Sequence, residues 1–289
     1  MEFLSVATWE DALAARAAHP GALPIAGGTD VMAGLNHDLD RPSALLDLAR
    51  VPELSQWHTH EGIVRLGACV TYARIVAELG DRLPGLAMAS HTVGSPQIRR
   101  RGTVGGSLGS ASPEGDAHPP LLAAGAVVEA ASVRGVRRIP AVDFYQEDGR
   151  GALAADELIA AVLVPVATGP QRFSKIGGRQ AMAVAVASFA LSLDPTRRRA
   201  ASGIGSVAPA PRPAAVANEF LTGELEASGL WDSRAGLGES LMYRYGELVT
   251  EAASPSDDIR ATAEYRRLAL AVMARRTLAR AWSQYQGGQ

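Results

Sequence analysis

The hydrophobic positions of this chain fall into short blocks separated by glycine and proline, and their spacing changes along the sequence. Near the start, Thr8 stands three residues before Asp11 and ahead of the alanine-rich run Asp11–Ala18. That is the pattern of an N-capped helix, closed by Pro20. The apolar triplet Leu23–Ile25 predicts a strand running into Ala26-Gly27-Gly28-Thr29-Asp30, and Leu45–Leu48 predicts the next strand. Residues 1 to about 50 read as a small α/β unit.

A second α+β unit runs from 55 to about 165. Glu61-Gly62 marks a hairpin leading into Ile63–Leu66, Thr71 caps a helix to Leu79, and Pro84 and Pro96 punctuate a helical segment. Val127–Ala131, Arg134–Ile139 and Leu158–Val164 read as strands, the last closed by Pro165. From about 170 the pattern alternates in Arg172–Ile176, Ala183–Leu193 and Ala200–Val207, which predicts an antiparallel sheet. A proline-rich stretch, 209–213, precedes a helix from Ala214 to about Leu221. The final segment, Glu264–Tyr285, places Tyr265, Leu268, Val272, Ala279 and Trp282 on one helical stripe. Arg275, Arg276 and Arg280 lie beside it, so a packed helix with a basic flank is expected.

Composition narrows the classes. The 289 residues suffice for two or three domains. Hydrophobic residues make up 47% and charged residues 20%, which excludes disorder over most of the length. The net charge of −2 gives no support for general nucleic-acid affinity. Cys69 is the only cysteine, so the chain alone builds no disulfide, iron–sulfur cluster or zinc ribbon. No apolar run reaches the ~18 residues of a membrane span. The first residues carry acids and no basic region, unlike a secretory leader. A cytoplasmic enzyme or enzyme subunit is the expectation.

Two glycine clusters are candidates for ligand chemistry. In Pro24-Ile25-Ala26-Gly27-Gly28-Thr29-Asp30, two glycines directly after a strand let the backbone approach a ligand with its amides outward, which suits a phosphate. Alone, this cluster fits a tight strand–helix turn at least as well. The second cluster, residues 98–116, combines five glycines with Thr103, Ser107, Ser110, Ser112 and Asp116. It reads as a long loop able to wrap an extended polar ligand rather than a plain surface loop, since such loops in compact domains are usually functional. Lys175, beside Gly177 and Gly178, is evenly balanced between a functional cation and an edge-strand lysine kept for solubility.

Other features are read as decoys. Gly203-Ile204-Gly205-Ser206-Val207-Ala208 fits a dinucleotide fingerprint, but Pro209, Pro211 and Pro213 forbid the helix that the mechanism requires. Arg99-Arg100-Arg101, without interleaved aromatics, is read as solvated or bound to carboxylates. His91 and His118 have no metal-ligand spacing, so no metal site is expected. Cys69 sits in an apolar run and is read as a core residue.

Taken together and in order, these landmarks resemble the FAD-binding medium subunit of the molybdenum hydroxylases, of the carbon monoxide dehydrogenase and xanthine dehydrogenase type. The motifs are Ala26-Gly27-Gly28-Thr29-Asp30, then Ile98-Arg99-Arg100-Arg101-Gly102-Thr103-Val104-Gly105-Gly106-Ser107-Leu108, then Ala111-Ser112-Pro113-Glu114-Gly115-Asp116. Further along come the D-E-L-I segment ending at Ile159, the F-S-K-I-G-G-R-Q-A-M segment containing Lys175, and G-I-G-S-V-A-P-A-P. The resemblance covers nearly the whole chain. Departures from the family pattern are Ser107 and Arg100, each replacing an asparagine, and Val93, at a position that is aromatic in some relatives.

The resemblance implies an α+β fold of the vanillyl-alcohol-oxidase (PCMH-like) type, followed by an antiparallel sheet with helices. The expected units are 1–54 and 55–167, gripping an extended FAD, and a C-terminal 168–289. It implies cofactor contacts from Pro24, Ile25, Ala26, Gly27, Gly28, Thr29, Asp30, Thr103, Gly105, Gly106, Ser107, Ser110, Asp116, Ile159 and Lys175, the last near the flavin's pyrimidine edge. It implies an electron-transfer subunit partnered by a small iron–sulfur chain and a large chain with molybdenum cofactor, as a dimer of heterotrimers. Electrons would leave to NAD, oxygen, a quinone or another acceptor. The alternatives are a self-sufficient flavin oxidase of related fold and a flavin-free structural subunit.

Overall fold

The computed structural model describes residues 1–38 and 41–288. The chain opens with β1 (Glu2–Ser5), α1 (Trp9–Ala18), β2 (Leu23–Ile25), α2 (Val31–Asn36) and β3 (Ala44–Asp47). Thr8 caps α1, its hydroxyl accepting the Asp11 amide at 3.1 Å. β1 and β2 both lie parallel to the central β3. Parallel neighbours need a crossover, and α2 supplies the one from β2 to β3. The Gly27-Gly28 turn therefore falls at the carboxyl end of β2, where open α/β sheets present ligand crevices.

A 3-10 turn, Pro52–Ser55, leads into β4 (Trp57–His60) and β5 (Ile63–Gly67). Glu61 and Gly62 both have positive φ, 47° and 74°, which turns this tight hairpin with the strands' own twist. Five helices follow: α3 (Tyr72–Glu78), α4 (Pro84–Thr92), α5 (Pro96–Arg101), α6 (Val104–Ser110) and α7 (His118–Ala123). Then come β6 (Val127–Ser132), β7 (Gly135–Pro140), α8 (Ala141–Phe144) and β8 (Leu158–Pro165). The sheet is antiparallel in the order β4-β5-β8-β6-β7. Leu46 of the first sheet and Leu66, Val128 and Val162 of the second belong to one continuous core. The two sheets are thereby fixed against each other, with the segment between β5 and α6 at their junction.

The rest of the chain contains β9 (Gln171–Gly177), β10 (Ala185–Asp194), β11 (Arg199–Gly205) and β12 (Arg212–Pro213). These are followed by α9 (Ala215–Ala227), α10 (Leu230–Ser233), α11 (Glu239–Glu251) and α12 (Ala263–Gly287). The strands form an antiparallel sheet in the order β12-β11-β10-β9. Phe189 and Ile204 of this sheet share a second core with Leu221, Tyr245, Leu270 and Trp282 of the helices.

The structure corrects several expectations. The second glycine cluster is not a structureless loop: its centre is helix α6. Thr103 caps it by accepting the Gly106 amide at 3.0 Å. Val104 and Leu108, four residues apart and fully buried, anchor one face against the core. That burial outweighs the helix penalty of three glycines, about 1 kcal/mol each. Pro84 and Pro96 occupy helix first turns, where a missing N–H costs nothing, so they start α4 and α5.

The expected stripe on α12 is misplaced. Of its residues only Trp282 is buried, while Tyr265 and Leu268 are exposed. The buried face runs instead through Ala269, Leu270, Met273, Ala274, Leu278 and Ala281. Arg266 sets this rotation. Its guanidinium is drawn inside to donate to the carbonyls of Val186 and Ser206, both at 2.7 Å, and pairs with Asp258 at 2.7 Å.

Arg99 differs from expectation, donating to the carbonyls of Val93 and Gly94 rather than to carboxylates. Arg100 and Arg101 are exposed, as expected, and Arg101 also reaches the Gly27 carbonyl at 3.4 Å. As expected, Gly203 and Gly205 open no helix. They lie in β11, where a Cβ on Gly203 would stand 2.4 Å from the Pro119 carbonyl oxygen, so this glycine lets α7 lie against the strand.

Candidate cofactor-binding cleft

The two glycine clusters, about 75 residues apart in sequence, meet in the fold. Gly27 packs against the end of α5 so closely that a Cβ there would lie 1.8 Å from the Arg101 carbonyl oxygen. Gly105 lies against β5's exit, where a Cβ would meet the Ala68 Cβ at 2.5 Å, and its amide donates to the Ala68 carbonyl at 3.1 Å. These two glycines are needed for chain-on-chain packing. Gly28 is needed for conformation, with φ of +77°.

Gly106 and Gly109 are different. A Cβ on Gly106 would meet only the Thr103 hydroxyl, at 3.1 Å, and one on Gly109 would meet nothing within 4 Å. Both line a cavity of about 490 Å³ between the clusters. Among the described residues, the amides of Gly28, Thr29 and Asp30 have no backbone acceptor. Bare backbone with free amides beside open space is a cradle for a phosphate-bearing ligand.

Of the fifteen residues expected at the site, twelve line this cavity. They are Pro24, Ala26, Gly27, Gly28, Thr29, Asp30, Thr103, Gly105, Gly106, Ser107, Ser110 and Ile159. Ser110 donates to Asp30 at 3.2 Å, tying the two clusters across the cleft. The hydroxyl of Tyr72, fully buried, donates to Ser107 at 2.6 Å, and burial pushes this phenol's pKa up. Ile159 reaches the cavity beside a slip in register, where the pairing of β6 with β8 shifts between Glu129 and Ala130.

Ile25, Asp116 and Lys175 do not line the cavity. Ile25 instead supports the turn from beneath: its Cδ1 lies 3.4 Å from the Cβ position of Gly28. Asp116 and Lys175 bind each other, Nζ to Oδ2 at 2.5 Å, and both are nearly buried. Thr92 donates its hydroxyl to the same Asp116 oxygen at 2.9 Å, and its carbonyl accepts from Lys175 at 3.4 Å. Burial holds the Asp116 carboxyl above its ordinary pKa, opposed by the Lys175 ammonium. Lys175 is thus not the solvent-facing edge lysine, although β9 is an edge strand.

Sequence reasoning missed the other end of the cleft. Arg16, Leu23, Leu48, Leu153, Glu157 and Leu158 also line it. Glu157 and Leu158 stand in the D-E-L-I segment, of which only Ile159 was read as a site residue, and Arg16, Leu23, Leu48 and Leu153 carry no motif. Cys69 is a core residue, as expected, and its thiol is pushed up to about 12 by burial. It also borders the cavity.

A glycine-lined cleft between a parallel and an antiparallel sheet, followed by a second antiparallel sheet with helices, is an arrangement suited to a cofactor-binding chain. Residues 1–167 match the family model described as the FAD binding domain in molybdopterin dehydrogenase. The chain is 34% identical over 169 residues to the nicotinate dehydrogenase FAD-subunit of Eubacterium barkeri, covering 56% of this chain and 57% of that one. It is 29% identical over 293 residues to the nicotine 6-hydroxylase medium subunit of Paenarthrobacter nicotinovorans, covering 97% of each. Among solved structures, quinoline 2-oxidoreductase from Pseudomonas putida 86 matches with a TM-score of 0.88 at 27% identity, over 99% of this chain and 98% of that one.

The chain belongs to the FAD-binding family of the molybdopterin dehydrogenases. The resemblance read from the glycine motifs and the α+β fold it implied are both borne out. No helix among the described residues is long and apolar enough to cross a membrane.

Proposed function

We propose that this chain is the FAD-carrying electron-transfer subunit of a multi-subunit molybdenum hydroxylase or dehydrogenase. The observation that carries the reading is the meeting of two glycine turns at a cavity toward which Gly106 and Gly109 present bare backbone. In this reading, residues 1–54 and 55–167 are the two halves of the grip and 168–289 a C-terminal unit. Bound FAD would supply the redox centre, taking electrons from one partner and passing them to an acceptor.

The chain's own residues position that group. In this reading the amides of Gly28, Thr29 and Asp30 and the hydroxyls of Thr103 and Ser107 would donate to the diphosphate and ribityl oxygens, while Ser110, its hydroxyl given to Asp30, holds the two clusters together beside them. The Gly27–Arg101 and Gly105–Ala68 contacts hold the two turns at fixed separation, so the amides are aimed before the ligand arrives. Ile159 supplies an apolar wall. The joined Asp116–Lys175 pair stands at the flavin end. In support, Asp116 lies within electrostatic reach of the Tyr72 phenol, which touches cavity-lining Ser107.

The partners in this reading are a small iron–sulfur chain and a large chain with molybdenum cofactor, assembled as a dimer of heterotrimers in the cytoplasm. Substrate oxidation takes place on the large chain, and the acceptor is NAD, oxygen, a quinone or another oxidant. The test is to purify the full chain alone and co-expressed with the two chains. Bleaching of flavin absorbance by substrate in the complex, and not in the chain alone, is the expected result. Turnover by the chain alone would instead make it a self-sufficient oxidase, and a colourless chain would make it a structural subunit.

A further inference from the structure

The cleft contains a cation that the motifs do not account for. Arg16, in the last turn of α1, is the only positively charged residue lining the cavity among the described residues. Its Nη1 donates to the Ala22 carbonyl, and its Nε is buried with no hydrogen-bond partner. Burial lowers its pKa, and Asp156 only partly opposes this.

The neighbouring acids are engaged elsewhere. Asp156 is held by Arg134. Glu157 is held by Arg137 through two bonds, at 2.7 and 2.8 Å, and by the Ala154 amide at 2.7 Å. A half-buried guanidinium with a desolvated, unmatched donor lacks an acceptor.

Position and surroundings indicate which acceptor. Arg16 is tied to Ala22, five residues before Gly27, so it stands up to roughly 15 Å along β2 from the phosphate cradle. Leu23, Leu48, Leu153 and Leu158 wall this end. Apolar walls with one planar donor suit a flat heteroaromatic ring bearing acceptor nitrogens, against which a guanidinium also stacks. In the FAD reading the Asp116–Lys175 pair marks the flavin end, and neither residue lines the cavity with Arg16, so this end falls to the other half of the dinucleotide.

We infer that Arg16 recognises the purine end of the bound dinucleotide, donating a guanidinium N–H to an adenosine acceptor, and selects FAD over FMN. This rests on the FAD reading of the cleft.

The test uses the full chain stripped of flavin, with FAD, FMN and ADP as probes, read by flavin fluorescence and by calorimetry. In Arg16→Leu, FAD and ADP should bind about 10- to 100-fold more weakly, the value of one hydrogen bond to a charged group, with FMN unaffected. Arg16→Lys, which keeps the charge and can still reach Ala22, should lie between. Unchanged ADP affinity in Arg16→Leu, or in Arg16→Lys if the leucine variant unfolds, overturns the inference. Equal weakening of FMN overturns it too, because Arg16 would then act through the fold or at the flavin end. If the unaltered chain binds neither FAD nor ADP, the FAD reading fails first and takes this inference with it.

Discussion

The Lys175 ammonium lies 2.5 Å from Asp116 Oδ2, joining edge strand β9 of the C-terminal sheet to the segment that follows α6. The side chains are 11% and 5% exposed, so the pair is effectively sealed from water. It is a link between the part of the chain that forms the cleft and the sheet that follows, and its two charges offset each other. In a low-dielectric setting neither charge is stable without the other.

Lys175→Met should therefore do more than delete a cation. It leaves a buried carboxylate without a countercharge, a loss of about 3–5 kcal/mol. Asp116→Asn in the same chain should restore most of it. If FAD sits as proposed, Lys175→Met should also lower its two-electron potential by at least roughly 20–65 mV, taking ~1–3 kcal/mol for the lost cation and ~30 mV per 1.4 kcal/mol. The double variant, which removes both charges, should return the potential toward its starting value. Thermal melts and a redox titration check both statements; equal potentials in all three proteins would remove the pair from the flavin's surroundings.

The glycines of the cleft should separate into two groups by substitution. Gly27→Ala forces a Cβ to within 1.8 Å of the Arg101 carbonyl oxygen, so the melting temperature should drop sharply. A Cβ at Gly109 meets nothing within 4 Å, and in Gly109→Val valine is the better helix residue by a few tenths of a kcal/mol. That variant should melt no earlier than the parent yet bind FAD at least about tenfold more weakly, by intruding into the cleft. Normal FAD affinity in Gly109→Val would mean that the ligand does not pass over α6.

His118 should shape the acid stability of the chain. It is fully buried, 2.9 Å from the Tyr145 hydroxyl, and burial lowers its pKa to about 4 from 6.5. The fold therefore favours the neutral ring. Its contribution is complete above pH 6.5 and is lost as pH falls toward 4, by up to about 3 kcal/mol. His118→Gln should be less stable at pH 7.5 but show a shallower fall across this window. Wild-type and variant curves that stay parallel between pH 7 and 4 would show that the histidine does not titrate with folding.

Much of the fold was legible because its signals are local. Thr8, Thr71 and the Glu61-Gly62 turn act on their own neighbours, and the alternation in β9, β10 and β11 is a property of each strand. The glycine-lined half of the cleft was legible because its glycines stand as adjacent pairs in the sequence, although Gly27 and Gly105 are required by contacts with Arg101 and Ala68, far along the chain. The remainder depends on distant contacts. α6 is a helix against its glycine content because Val104 and Leu108 find a core. α12 is rotated because Arg266 bonds two carbonyls from β10 and the end of β11. Arg16 lines the cleft because α1 packs against β3 and β6 and its guanidinium bonds the Ala22 carbonyl, and nothing in its immediate sequence marks it.

The central claim is that this chain holds one FAD in the cleft between its two glycine turns. The most direct measurement is a titration of the flavin-stripped full chain with FAD, followed by flavin fluorescence, with Gly106→Val alongside. The account predicts saturation at one FAD per chain and loss of that binding in Gly106→Val, with circular dichroism unchanged. Saturable binding that survives Gly106→Val intact, or no saturable binding in the parent chain, would contradict it.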